Sequence, residues 1–83
     1  MTNIDLISDY IGVHLTPCKS SNLVAYGHKS DELWILFKNN KLYKYLGVTK
    51  SQFLELEAAS SKGSWVNKNL IKKEVKYEAF KVV

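Results

Sequence analysis

Tyr43, Lys44 and Tyr45 set two aromatic rings around a cation, with Lys41 just upstream. On a β-strand alternate side chains share a face, so this spacing predicts Tyr43 and Tyr45 side by side and Lys44 on the reverse. Paired rings beside ammonium groups can stack bases and hold phosphates. The same pattern also suits a strand that packs its rings into a core and solvates its back. Residue types alone leave both readings open.

Two polar clusters could add to such a site. Ser20, Ser21 and Asn22 offer hydroxyl and amide groups to a phosphate or a base edge, or to a turn's own backbone. Ser61, Gly63, Ser64 and Asn67 surround an expected helix start, with Lys62 and Lys68 close by. Free N–H groups there could attract an anion, and Gly63 would admit close approach to the backbone; simple capping explains the same residues. Trp65, next to this cluster, is the better stacking candidate of the two tryptophans; Trp34 is expected to pack under a helix.

No catalytic constellation emerges. Glu55 and Glu57 are two residues apart and cannot face each other on a helix. Asp31 and Glu32 fall in an expected turn, and no serine has a supported base. Cys18 is the single cysteine, and His14 and His28 have no spacing partners, so neither a disulfide nor a metal site is expected. The expectation is a non-enzyme without a cofactor.

Charge is distributed unevenly. All twelve basic residues are lysine. Residues 1–37 hold two lysines against four acids, and residues 38–83 hold ten against four, so the halves carry −2 and +6. A basic second half suits an anionic partner. Without arginine there is no guanidinium fork, which favours attraction to a backbone over reading of bases. A solvated, lysine-rich surface would look the same.

These residues must be positioned by few elements, because 83 residues make one small domain. Ile4, Ile7, Tyr10 and Ile11 predict an amphipathic helix over residues 3–11, capped by Asn3 and stopped by Gly12. Thr16-Pro17 breaks it. Leu23 to Tyr26 predicts a first strand, and Gly27 to Asp31 a turn. Leu33 to Phe37 is apolar on both faces, as in a central strand covered on both sides. Asn39-Asn40 predicts a tight turn, and Leu42 to Val48 a third strand. A helix from about Lys50 to Ser60 follows, with Thr49 as N-cap and Gln52 completing a capping box. Trp65 to Ile71 predicts a second short helix. Val75, Tyr77 and Ala79, alternating with charged residues, predict a last strand. The class is α+β: a small antiparallel meander of three strands plus a C-terminal strand, helices packed on one face, and an N-terminal helix. No apolar run is long enough for a membrane span and no signal peptide is evident, so a cytoplasmic protein with no membrane partner is expected.

From about Cys18 to Tyr77 the chain resembles the KTSC domain family. The resemblance rests on Ser20-Ser21-Asn22-Leu23, Tyr26-Gly27, Leu33 to Phe37, Tyr43-Lys44-Tyr45, Val48, Phe53, Leu56 and Ala59. It continues through Ser61, Gly63, Trp65, Val66, Asn67 and Leu70. The family is named for the C-terminus of some lysyl-tRNA synthetases and includes stand-alone proteins of bacteria and phages. Asn40 replaces a usual glycine, Thr49 a usual proline, and lysines stand where arginine is frequent. The division implied is a helical extension, residues 1–17, before a KTSC-like domain, residues 18–83. The resemblance implies RNA binding, suggested by the domain's place in the synthetases, and no settled activity.

The expected function is therefore a binding module for nucleic acid, RNA first, using Ser20, Ser21, Asn22, Lys41, Tyr43, Lys44, Tyr45, Lys62, Gly63, Trp65, Asn67 and Lys68. One alternative captures a small phosphorylated nucleotide, even a cyclic signal, as a counter-defence protein would. A second is a protein–protein adaptor or inhibitor that offers Ile4, Ile7 and Ile11 and self-associates as a homo-oligomer.

Overall fold

The computed structural model describes residues 3–82. Its centre is a five-stranded antiparallel sheet in simple sequence order. The strands are β1 (Thr16–Pro17), β2 (Leu23–Lys29), β3 (Glu32–Phe37), β4 (Lys41–Leu46) and β5 (Tyr77–Lys81). Helix α1 (Ile4–Ile11) precedes the sheet. Helices α2 (Lys50–Ala58) and α3 (Lys62–Val66) lie between β4 and β5, and α3 runs on into a π-helical turn, Asn67–Ile71. No helix among the described residues is long and apolar enough to cross a membrane.

β3 organises the layers. Leu33 and Ile35 join Tyr45, Val48, Leu56, Val66 and Leu70 in one core, under α2 and α3. Trp34 and Leu36 join Val13, Leu15, Ala25 and Leu42 in a second core, against which Ile4, Ile7 and Ile11 of α1 pack. The central strand is thus covered on both sides as expected, by the later helices on one face and the N-terminal helix on the other. Leu33, Ile35 and Leu36 are fully buried, and each such side chain contributes about 1.5–3 kcal/mol of transfer free energy.

Local chemistry sets the ends. Asn3 caps α1 by accepting from the Leu6 N–H at 3.1 Å, and Gly12 ends it in the left-handed region at φ 71°. Thr49 and Gln52 form the expected capping box on α2. Asn40 turns the β3–β4 hairpin at φ 62°.

Several boundaries differ from the sequence reading: β4 ends at Leu46 rather than Val48, and α3 begins at Lys62 rather than Trp65. Helix α2 stops at Ala58, two residues short of the expected Ser60. Thr16-Pro17, read as a break, also pairs with Tyr26 and Ala25 as a short edge strand. The expected turn at Gly27–Asp31 shrinks to Ser30-Asp31, both at positive φ, because β2 continues through Gly27 to Lys29. The glycine serves close approach rather than a turn: the chain leaving α1 crosses the strand there, and a Cβ would run into the backbone carbonyl of His14.

A bulge at Val24 shifts the β2–β3 register between Leu23 and Ala25. Leu23 and Tyr26 therefore both reach the α2/α3 core, while Val24 and Ala25 face the α1 side.

Gly27→Ala should lower stability by about 1–3 kcal/mol through overpacking. His14→Ala should leave it nearly unchanged, since His14 is exposed and only its backbone oxygen is involved. Urea unfolding checks both: the midpoint should fall for the first variant alone, at constant m.

Candidate functional site

Antiparallel pairing of β4 with β5 brings Tyr77 opposite Tyr45 and Ala79 opposite Tyr43. The rings of Tyr43 and Tyr77 stack at 5.0 Å between centroids and 9° between planes. Phe37 meets Tyr43 edge-on at 5.2 Å and 72°. Tyr77 remains 55% exposed, so the stack presents an open ring.

This aromatic wall borders a groove of about 1090 Å³ between the sheet and the π turn with its following segment. Leu70, Ile71 and Val75 form its apolar part; Lys38 and Lys76 line it together with Glu74 and Glu78. A polar notch of about 350 Å³ adjoins it, lined by Ser21, Asn22, Ser61, Gly63, Ser64 and Asn67 among others. Asn22, Phe37 and Ile71 belong to both. Hydroxyl and amide groups thus stand at one end of a groove and stacked phenol rings at the other.

The two polar clusters, 40 residues apart in sequence, meet across Gly63. A Cβ there would come within 3.6 Å of the Asn22 amide nitrogen and 3.9 Å of the Ser20 hydroxyl. Ser20 itself is spent locally: its Oγ accepts from the N–H groups of Asn22 and Leu23, both at 3.2 Å. Ser61 likewise caps α3 by accepting from the Ser64 N–H at 3.3 Å. Ser21, Asn22 and Asn67 are exposed in the notch.

Several expected residues lie elsewhere. Lys44 is on the opposite face, as the alternation predicts, and there it pairs with Glu78 at 3.2 Å and Glu32 at 3.7 Å over the Trp34 ring. Lys62 turns toward the end of α2, donating to the carbonyls of Glu57 and Ala59, both at 3.1 Å. Trp65 packs at the edge of the core, with its indole N–H donating to Glu55 at 3.4 Å. Tyr45 is only 2% exposed and belongs to the core. The tyrosine pair is therefore divided: Tyr43 borders the groove with an open partner, and Tyr45 supports it from beneath. Lys41 shares the tyrosine face at the strand's far end, opposite Lys81, and Lys68 is exposed on the π turn.

Sequence reading did not include Phe37, Lys38, Lys76 and Tyr77, which line this groove. The alternation of Val75, Tyr77 and Ala79 carried the signal for Tyr77. Only the pairing register shows which tyrosine it stacks against.

Burial pushes the Cys18 thiol up, against the pull of Lys62 and Lys38, and its Sγ–H donates to the Leu23 carbonyl at 3.9 Å. It is a packed thiol rather than a poised nucleophile.

Comparison with known proteins places this geometry in context. The family model of the KTSC domain matches residues 19–78. The crystal structure of a KTSC domain protein from Yersinia pestis is similar, with a TM-score of 0.73 and 27% identity, over 82% of this chain and 97% of that one. No curated protein matches the chain.

Burial, with the neighbouring phenols of Tyr43 and Tyr77, holds the Tyr45 proton up to about 12, above the ordinary phenol value near 10. The unfolded chain therefore releases this proton first as pH rises. The stabilisation is complete below about pH 10 and is lost between about 10 and 12. Tyr45→Phe has no such proton, so its stability should fall less steeply than wild type across that window in urea melts. Tyr45→Ala should cost about 3–5 kcal/mol, as for other large buried rings, whereas Tyr77→Ala should leave the fold in place.

Proposed function

The chain belongs to the KTSC domain family, and from that premise we propose that it is a non-catalytic module binding single-stranded nucleic acid, RNA first, in the groove beside Tyr43 and Tyr77. The observation that carries this reading is the stacked Tyr43–Tyr77 pair, open on one side and contiguous with the Asn22 notch. A base stacks on the exposed Tyr77 ring and extends an aromatic column that already exists. Base–aromatic stacking tolerates every base because each has a π face. Asn22, Asn67 and Ser21 supply hydrogen bonds in the notch. Lys38 and Lys76 meet phosphates at the groove, and Lys41 and Lys81 continue the cationic surface along the same face.

One observation favours a second reading. Glu74 lines the groove with Lys38 and Lys76, and Lys44 is held on the other face by Glu78 and Glu32, so few uncompensated cations face the groove. A compact phosphorylated nucleotide, held mainly by stacking and the notch, fits that arrangement better than a long polyanion.

Salt separates the two. Fluorescence titration with RNA, single-stranded DNA and mono-, di- and cyclic nucleotides at two salt concentrations is the test. For an extended strand, log K falls with log salt at about −0.7 per phosphate neutralised; a compact nucleotide gives a shallower slope. Salt-independent RNA affinity would sink the backbone-binding version. Tyr77→Ala should weaken binding by roughly 1–3 kcal/mol for the stacked base; Tyr43→Ala, which removes the ring behind it, should weaken binding less, and Tyr43→Phe should cost little. Lys44→Ala should leave affinity unchanged, since that ammonium is engaged on the opposite face.

A further inference from the structure

We propose that β5 is a self-pairing edge, joining two copies of this chain into one continuous antiparallel sheet about a two-fold axis at Ala79. The inference rests on the sheet edge and not on the groove's ligand; because Lys81 of the partner subunit would meet the Tyr77 ring, base stacking at Tyr77 and self-pairing compete for that ring.

The sheet's two edges differ. β1 is two residues long and contains Pro17, so it is blunt as a template. β5 is five residues long, and every one is exposed. Tyr77 and Phe80 keep 55% and 43% of their surface in solvent.

Hydrogen-bond phase shows which backbone groups are open. The Val82 N–H donates to Asn40 and the Lys76 carbonyl accepts from Leu46, both at 2.8 Å. In an antiparallel ladder such bonds recur at every second residue. The even-numbered residues therefore face β4, and Tyr77, Ala79 and Lys81 aim their N–H and C=O groups outward.

That open row is complementary to itself. With the dyad at Ala79, Ala79 pairs with its own copy and Tyr77 with Lys81 of the partner subunit, each pair exchanging both bonds. On the tyrosine face an ammonium then meets a phenol ring, a favourable contact. On the other face Glu78 meets an apolar side chain, so no like charges stand opposite one another. Moving the dyad to Glu78 would set carboxylate against carboxylate, so charge selects the Ala79 register.

The surface beside the edge fits the same partner. Phe80 and Val82 line an apolar groove of about 410 Å³ with Leu6, Tyr10 and other residues of α1. Leu6 is 65% exposed and Tyr10 91%. A dyad through Ala79, perpendicular to the sheet, puts the two α1 helices on the same face of the joined sheet, on either side of the seam.

The test is solution mass of the full chain by sedimentation equilibrium across the micromolar range, with two variants. Wild type should approach twice 9.5 kDa. Ala79→Pro should be monomeric with an unchanged far-UV spectrum, because it removes an N–H that β4 does not use. Ala79→Cys in a Cys18→Ser background should cross-link to a dimer on mild oxidation, since a hydrogen-bonded pair lies about 5.5 Å apart between Cα atoms, within disulfide reach. A monomeric wild type overturns self-pairing, including one whose edge is taken by a strand of another protein. So does an Ala79→Pro variant that stays dimeric. Should the proline variant fail to fold, the cysteine variant decides, and a dimer that does not cross-link through residue 79 overturns the register.

Discussion

β3 is apolar on both faces, and a single layer cannot satisfy such a strand. Leu33 and Ile35 require one cover, Trp34 and Leu36 another. The first is met by α2, α3 and the π turn, which occupy the chain between β4 and β5. The second falls to α1 and the Val13–Leu15 segment. Placing those covers puts β3 at the middle of the sheet and leaves β1 and β5 as its margins. It also dictates the position of the groove, which lies between the sheet and the π turn with its following segment.

Period and punctuation made most of this legible. The Ile4–Ile7–Ile11 spacing between Asn3 and Gly12 delimits α1, and Thr49 with Gln52 announces α2. The two-faced run from Leu33 to Phe37 identifies the central strand. Features that depend on contact between distant segments stayed hidden. Gly27 resembles turn material until the His14 backbone is seen lying across it. The bulge at Val24 has no residue signature, because nothing in Leu23-Val24-Ala25 demands positive φ. The π turn is similar: Val66 and Leu70 point to the core in any helix, and only the Lys72 N–H reaching Asn67 reveals the widened turn.

Of the candidate site, sequence located the materials better than their arrangement. Ser20 to Asn22 and Ser61 to Asn67 do come together, across a glycine. Lys44 and Lys62, the cations nearest to the rings and the notch in sequence, are consumed by Glu78, Glu32 and the carbonyls at the end of α2. Adjacency in sequence misleads on a strand, where a neighbour occupies the opposite face. It misleads beside a helix end as well, where unpaired carbonyls compete for any lysine within reach.

The two apolar clusters share no side chain, and the sheet lies between them as a partition. Everything that lines the groove and notch falls between Ser21 and Glu78, within the span matched to the family. The first helix and the turn behind it sit ahead of that span, on the far side of the partition. The architecture is therefore insulated. A lineage could exchange its opening helix for a different cover, and with it alter what the outer surface touches, while the groove's residues kept their neighbours. The two faces of this small domain are free to keep separate histories.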